Sequence, residues 1–290
     1  MFGKSIKIYL SDGSPSGLRH VEIANWSGQA VACPRSRFSE LKNWIESQRP
    51  GVYFLIEKQT TDEINSVYIG ESENVFKRLS DHDRKKDFWN EVIIFTSKDE
   101  NLTKSHIKYL ESRLSFLTIE ADRYKLENSN SPSESKLPRA DKDAMEEFIH
   151  NTKMILGTLG HKMLVPLKSV KENNDPETLI GRELYFVVNG LNSLGMQTDE
   201  GFLINKDSEI SATTTASIPG KIKLLREKLI EDGILINKGK NLILSKDIIV
   251  SSSSYAAALV AGTMRSGPQS WKDSNGKNLK DLEESLVKNL

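Results

Sequence analysis

GVYFLIEKQTTDEINSVYIGESENVFKRLSDH, residues 51–82, reads as strand, polar loop, strand and amphipathic helix in that order. GVYFLIE (51–57) and SVYIG (66–70) are rich in β-branched and aromatic residues, and the polar KQTTDEIN between them suits an antiparallel hairpin with a long loop. In the next segment Val75, Phe76 and Leu79 fall on one helical side. A third β-rich run, Trp89 to Thr96, follows. From Thr103 the spacing of Ile107, Leu110, Leu114 and Leu117 predicts a second amphipathic helix, capped by Asn101 or Thr103. The order β, β, α, β, α predicts an α+β domain: a small antiparallel three-stranded sheet flanked by helices.

Five residues in this frame carry chemistry. Tyr53 and Tyr68 end up on strands expected to lie side by side, so their hydroxyls can converge. Arg78 and His82, at i and i+4, share one face of the following helix. Glu111 borders the apolar stripe of the second helix, where a half-buried carboxylate asks for a partner or a function. These types suit phosphodiester hydrolysis, which needs a base for water, neutralisation of the phosphoryl oxygens and support for the leaving oxygen. Arg78 offers forked donors to phosphate. Glu111 is a hard oxygen ligand of the kind Mg²⁺ takes singly or in pairs.

The segment resembles the GIY-YIG nucleases. Gly51-Val52-Tyr53 and Tyr68-Ile69-Gly70 match the two name motifs, Arg78 falls ten residues past the second tyrosine, His82 follows one turn later, and Glu111 matches the metal-binding glutamate. Val52 replaces the usual isoleucine, and the loop between the motifs is longer than usual. The resemblance covers about residues 48 to 128. It implies a divalent metal, Mg²⁺ or Mn²⁺, on Glu111, and a catalytic set of Tyr53, Tyr68, Arg78, His82 and Glu111. It also implies cleavage of DNA without a covalent enzyme intermediate. Tyr53 is assigned as general base, with Tyr68 orienting water and phosphate. Gly70, Ser72, Lys77 and Arg84 are expected nucleic-acid contacts, as is Asn128, which matches a polar residue that closes the domain. A non-catalytic nucleic-acid-binding module with the same core shape, and a nuclease acting on RNA or on modified or branched DNA, are the alternatives.

The flanks divide the 290 residues into an N-terminal β-containing extension (1–47), the nuclease-like domain (48–128), a linker and docking helix (129–180) and a separate α+β domain (181–290). After Pro34, Ser36 reads as the cap of a helix carrying Phe38, Leu41, Trp44 and Ile45. From Asp141, Met145, Phe148, Ile149, Ile155 and Leu156 share a helical face. In the last domain a helix from Gly220 to Asp232 and a hairpin turning at Asn237 to Lys240 have the outline of a winged DNA-binding element. The tail around Ser254 to Ala258 and Trp271 looks like an uncharacterised domain fused to such nucleases. With 37% hydrophobic and 28% charged residues, the chain is of ordinary globular composition. Forty basic and forty acidic residues cancel, so overall charge does not announce a polyanionic partner. The only cysteine, Cys33, excludes an intramolecular disulfide and a thiolate cage. No apolar run is long enough to span a membrane, and a cytoplasmic protein is expected. One site serves one strand, so cutting a duplex requires a homodimer or sequential nicks.

Overall fold

The computed structural model describes residues 2–57, 65–128, 136–167, 178–188 and 190–288. The fold is α+β and divides into two compact units, Met1–Pro166 and Leu167–Leu290. The expected loops at 58–64 and 168–177 and most of the expected linker, 129–135, lie outside the described residues.

The first unit is built on one seven-stranded sheet. Its strands are β1 (Ile6–Leu10), β2 (Arg19–Ile23), β3 (Gly28–Pro34), β4 (Gly51–Ile56), β5 (Ser66–Ser72), β6 (Glu91–Ser97) and β7 (Lys125–Leu126). Their order is β1-β2-β3-β6-β4-β5-β7, antiparallel except for the β5–β7 pair. The three strands expected from the sequence are therefore the middle of a larger sheet. β6 bonds to β4 on one side and to β3 on the other, from Gly28 opposite Ser97 to Pro34 opposite Glu91. The N-terminal segment is thus part of the same sheet rather than a separate extension.

Helices cover both faces, which is why β4 and the Val92–Phe95 stretch of β6 are apolar and both strands are buried throughout. Val52, Phe54 and Ile56 point to the face covered by α2 (Lys104–Ala121) and α3 (Arg139–Thr158), where Ile107, Leu110, Leu114, Phe148 and Ile149 complete the core. Tyr53 and Leu55 point to the other face, with Val75 and Leu79 of α1 (Val75–Lys85) and Trp89. Asn74 caps α1 by accepting from the Lys77 N–H at 3.0 Å, and Thr103 forms a capping box with His106 at the start of α2. The docking helix expected from Asp141 belongs to this unit's core.

The segment after Pro34 departs from the expected α-helix. It forms two 3₁₀ stretches, Arg35–Asn43 and Ile45–Gln48, interrupted by an extended Trp44. The start has no side-chain cap, and Ser47 Oγ donates back to the carbonyls of Leu41 and Trp44, which favours the tighter turn.

The second unit holds two small sheets. One is ordered β14-β10-β9-β8: β14 (Ile248–Val250), β10 (Gly201–Ile204), β9 (Leu191–Thr198) and β8 (Glu183–Val188). The other is ordered β11-β13-β12: β11 (Glu209–Ser211), β13 (Asn241–Leu244) and β12 (Leu235–Lys238). The expected helix and hairpin are present as α4 (Gly220–Glu231) and β12–β13. Helix α5 (Ser253–Ala261) buries Ala256 to Val260, and Trp271 packs on Phe186 and Phe202 while its Nε1 donates to the Ser253 carbonyl at 3.0 Å. These tail residues are core. Arg226 of α4 is buried too, and donates to the carbonyls of Leu259 and Ser211.

A buried polar network locks the first unit. Arg19 pairs with Glu91 of β6, whose other oxygen meets His161 Nε2 at 2.9 Å. Replacing Arg19 with Met leaves the buried Glu91 carboxylate without its guanidinium, an error worth about 3 kcal/mol. Urea denaturation should show a loss of that order, and an unchanged midpoint would show that the pair is not holding β2 to β6.

Candidate functional site

Register builds the site. Tyr53 of β4 stands opposite Gly70 of β5, and Leu55 stands opposite Tyr68, so both tyrosines emerge on the α1 face two positions apart. The Tyr53 ring lies across Gly70: a Cβ there would come within 2.4 Å of its Cζ and Oη. Gly51 faces the same restriction from the β6 main chain, where a Cβ would meet the Phe95 carbonyl oxygen at 2.2 Å. The glycines in the two motifs are thus space requirements of the pairing, and Gly70 serves the tyrosine directly.

Helix α1 then lays His82 over the pair. Tyr53 Oη and His82 Nε2 are 2.9 Å apart, and the ring centroids of Tyr53, Tyr68 and His82 form a triangle with sides of 6.3, 5.8 and 5.1 Å. His82 is buried, and that burial, with Arg78 and Lys86 nearby, pushes its pKa down to about 4. One turn earlier, the exposed Arg78 is coupled to both phenols through hydrogen bonding and charge. Burial drives the Tyr53 hydroxyl well above the ordinary tyrosine range. Tyr68 is also raised, by burial first and then by Glu111, while Arg78 pulls it back.

Glu111 sits half-buried on α2, which packs along β5. Burial and the neighbouring Glu71 raise its pKa to about 7, against Lys104, Arg78 and Lys108. Among the described residues its carboxylate has no ion-pair partner, whereas Glu71 is held by Lys104 Nζ at 2.8 and 2.9 Å. A half-buried carboxylate without an ion-pair partner among the described residues is one that could serve as a cation ligand. Among the described residues no group of three or more His, Cys, Asp or Glu is placed to hold a metal. Glu111 could hold at most an ion that keeps most of its water, as Mg²⁺ does.

The five expected catalytic residues are brought to one region. The expected nucleic-acid contacts divide. Lys77 is exposed on α1. Ser72 is occupied in the turn into α1, donating to the Asn74 carbonyl and accepting its N–H. Asn128 spends both ends of its amide on the main chain of Ile69, at 3.0 and 2.7 Å, and so extends the edge of β5. The side chain of Arg84 lies outside the described part of the structure. The residue that sequence reasoning did not place in the site is Lys86, whose ammonium lies 4.2 Å from the centre of the Tyr68 ring. Its position one helical turn beyond His82 was the available signal.

Residues 184–283 match the family described as a domain of unknown function (DUF4357), a span lying wholly within the second unit. No curated protein and no solved structure matches the chain. Among the described residues no helix is long and apolar enough to cross a membrane.

A histidine whose pKa falls from 6.5 to about 4 is neutral in the folded protein at pH 7. The unfolded chain then binds the extra proton between those values, so His82 adds stability above about pH 6.5 that is lost as pH falls toward 4. Ring-carbon NMR should follow a His82 titration close to pH 4. An apparent value above 6 would mean that the ring is neither desolvated nor set against Arg78 as described.

Proposed function

We propose that the first unit is a metal-dependent nuclease that hydrolyses phosphodiester bonds, with DNA as substrate, in the manner of the GIY-YIG nucleases it resembles. The observation that carries this reading is the convergence of Tyr53, Tyr68, His82 and Arg78 over one strand pair beside the desolvated carboxylate of Glu111, which has no ion-pair partner among the described residues.

The burial of the two tyrosines reassigns their roles. Tyr53 has no solvent exposure and is bonded to His82, so its hydroxyl is held in place and out of reach of an incoming water. Tyr68 is partly exposed, so its hydroxyl can lose its proton to solvent, and the resulting phenolate Oη, supported by Arg78 and by a bound cation, would accept a proton from the attacking water. Arg78, exposed beside it, is placed to donate to the non-bridging oxygens of the scissile phosphate. Neutral His82 holds Tyr53 against Gly70 and adds no charge that would repel Arg78. A divalent cation held by Glu111 would supply the positive charge that makes ionised Tyr68 and Glu111 compatible and stabilises the leaving oxygen. Lys77 and Lys85, exposed on α1, continue the positive surface along which a polyanion would lie.

Plasmid incubated with the protein and Mg²⁺ or Mn²⁺ should be nicked, and EDTA should stop it. Glu111→Gln and Arg78→Ala should each lower the rate by about a hundredfold or more, with unchanged circular dichroism. Equal activity in these variants would dismiss the site, and DNA binding without cleavage by the wild-type protein would leave only a binding module. The role of each phenol is separable. Tyr68→Phe should abolish cleavage, because among the described residues no other solvent-facing phenol adjoins Arg78 and Glu111, while Tyr53→Phe keeps the buried ring and should retain measurable turnover. The reverse order of the two rates would restore Tyr53 as the base.

A further inference from the structure

Strand β1 ends the large sheet, and among the described residues no strand pairs with its outer side. Its pairing with β2 shows which main-chain groups are left over. The Ala24 N–H bonds to the Ser5 carbonyl and the Ser11 N–H bonds to the Leu18 carbonyl, so in the shared register the odd-numbered residues of β1 exchange hydrogen bonds with β2. The N–H and C=O groups of Ile6, Ile8 and Leu10 therefore point outward. Lys7, Ile8 and Tyr9 are exposed, and no bulge or proline interrupts the strand. Such an edge is a template for another strand.

We infer that β1 joins two copies of this chain edge to edge, antiparallel, about a two-fold axis through Ile8. The strand is complementary to itself in that register. Ile8 faces Ile8 of the second copy as a mutually hydrogen-bonded pair, and Ile6 faces Leu10, so all three outward-pointing residues find partners. Lys7 comes opposite Tyr9 rather than opposite its own copy, which pairs a cation with an aromatic ring and avoids apposed like charges. Lys4 is directed toward the turn containing Asp12 at the far end of the other strand. The contact is short, and association is expected in the micromolar range.

An axis of this kind runs perpendicular to the sheet, so both copies present the same face on the same side. Register carried across β2, β3, β6 and β4 puts Lys7 and Tyr9 on the face that bears Tyr53. The two tyrosine sites would then look out from one continuous surface, separated by about 40 Å of sheet at ~4.8 Å per strand before twist. Lys7 of each copy would stand between them. The association itself does not depend on the nuclease reading.

Sedimentation of the full chain without substrate tests it, across low to high micromolar concentrations. Wild-type protein should pass from monomer to dimer. Ile8→Pro deletes one outward N–H without touching the bonds to β2, and should remain monomeric with unchanged near-ultraviolet circular dichroism. Cys33 is buried, so an introduced cysteine is the reactive one. Ile8→Cys places two thiols about 5.5 Å apart at their Cα atoms and should form a disulfide-linked dimer on oxidation. Lys7→Cys, with its own copy about 8 Å away, should not. A wild-type protein that stays monomeric throughout overturns the inference, as does equal cross-linking of the two cysteine variants. If Ile8→Pro fails to fold, the contrast between the cysteines decides. A dimer that never cuts DNA would dismiss the nuclease proposal and leave this one standing.

Discussion

The pairing of Tyr53 with Gly70 is the contact from which the candidate site is assembled. It requires β4 and β5 to be antiparallel in one register, because a slip of a single residue would turn Tyr53 into the α2–α3 core and send a valine or phenylalanine to the α1 face. It requires a glycine at 70, because the ring occupies the space of a Cβ. It fixes where α1 must lie, because His82 meets the hydroxyl only from a helix that packs Val75 and Leu79 on the same face. The rest of the sheet serves that register. β6, hydrogen-bonded on both sides and buried on both faces, holds β4 in place more firmly than a free hairpin could.

The electrostatic arrangement follows from the same burial. Desolvation raises Tyr53, Tyr68 and Glu111 and lowers His82, so each group is pushed toward its neutral form while Arg78 and Lys86 remain as charges beside them. Neutral acids beside unpaired cations are uncommon on an ordinary surface, where carboxylates find lysines. Glu71 shows the ordinary case a short distance away, closed by Lys104. Among the described residues Glu111 has no such pair.

Local chemistry explains how much of this was legible beforehand. The hairpin, the two helices and the i, i+4 pair of Arg78 and His82 are written in nearest-neighbour periodicity, and they stand where the spacing puts them. The strand at 28–34 was not legible, because GQAVACP has small residues and no alternation, and it becomes a strand by docking on β6. The helix expected after Pro34 failed for lack of a cap, which is a tertiary outcome at Trp44 and Ser47. Ser72 and Asn128 are bonded to the main chain of Asn74 and Ile69, because a small polar residue near a motif is as useful to the main chain as to a phosphate, and sequence alone does not say which partner is closer.

Neutral overall charge, which gives no argument for a polyanionic partner, has a structural counterpart. Many acidic residues of the first unit are spent on nearby cations: Asp12 and Glu40 on Arg37, Glu22 on Lys98, Glu71 on Lys104, Glu146 on Arg113 and Glu91 on Arg19. Pairs of this kind cancel in place and contribute little field at a distance. What a ligand would meet near Tyr68 is set by Arg78, Lys77, Lys85 and Lys86, a local excess that the total conceals. Binding that relied on so few cations would be only shallowly salt-dependent, because the slope scales with the number of phosphates neutralised, and poor in sequence readout, since phosphate contacts position a strand without identifying it. The second unit adds a part-exposed α4 and a basic β12–β13 turn of its own.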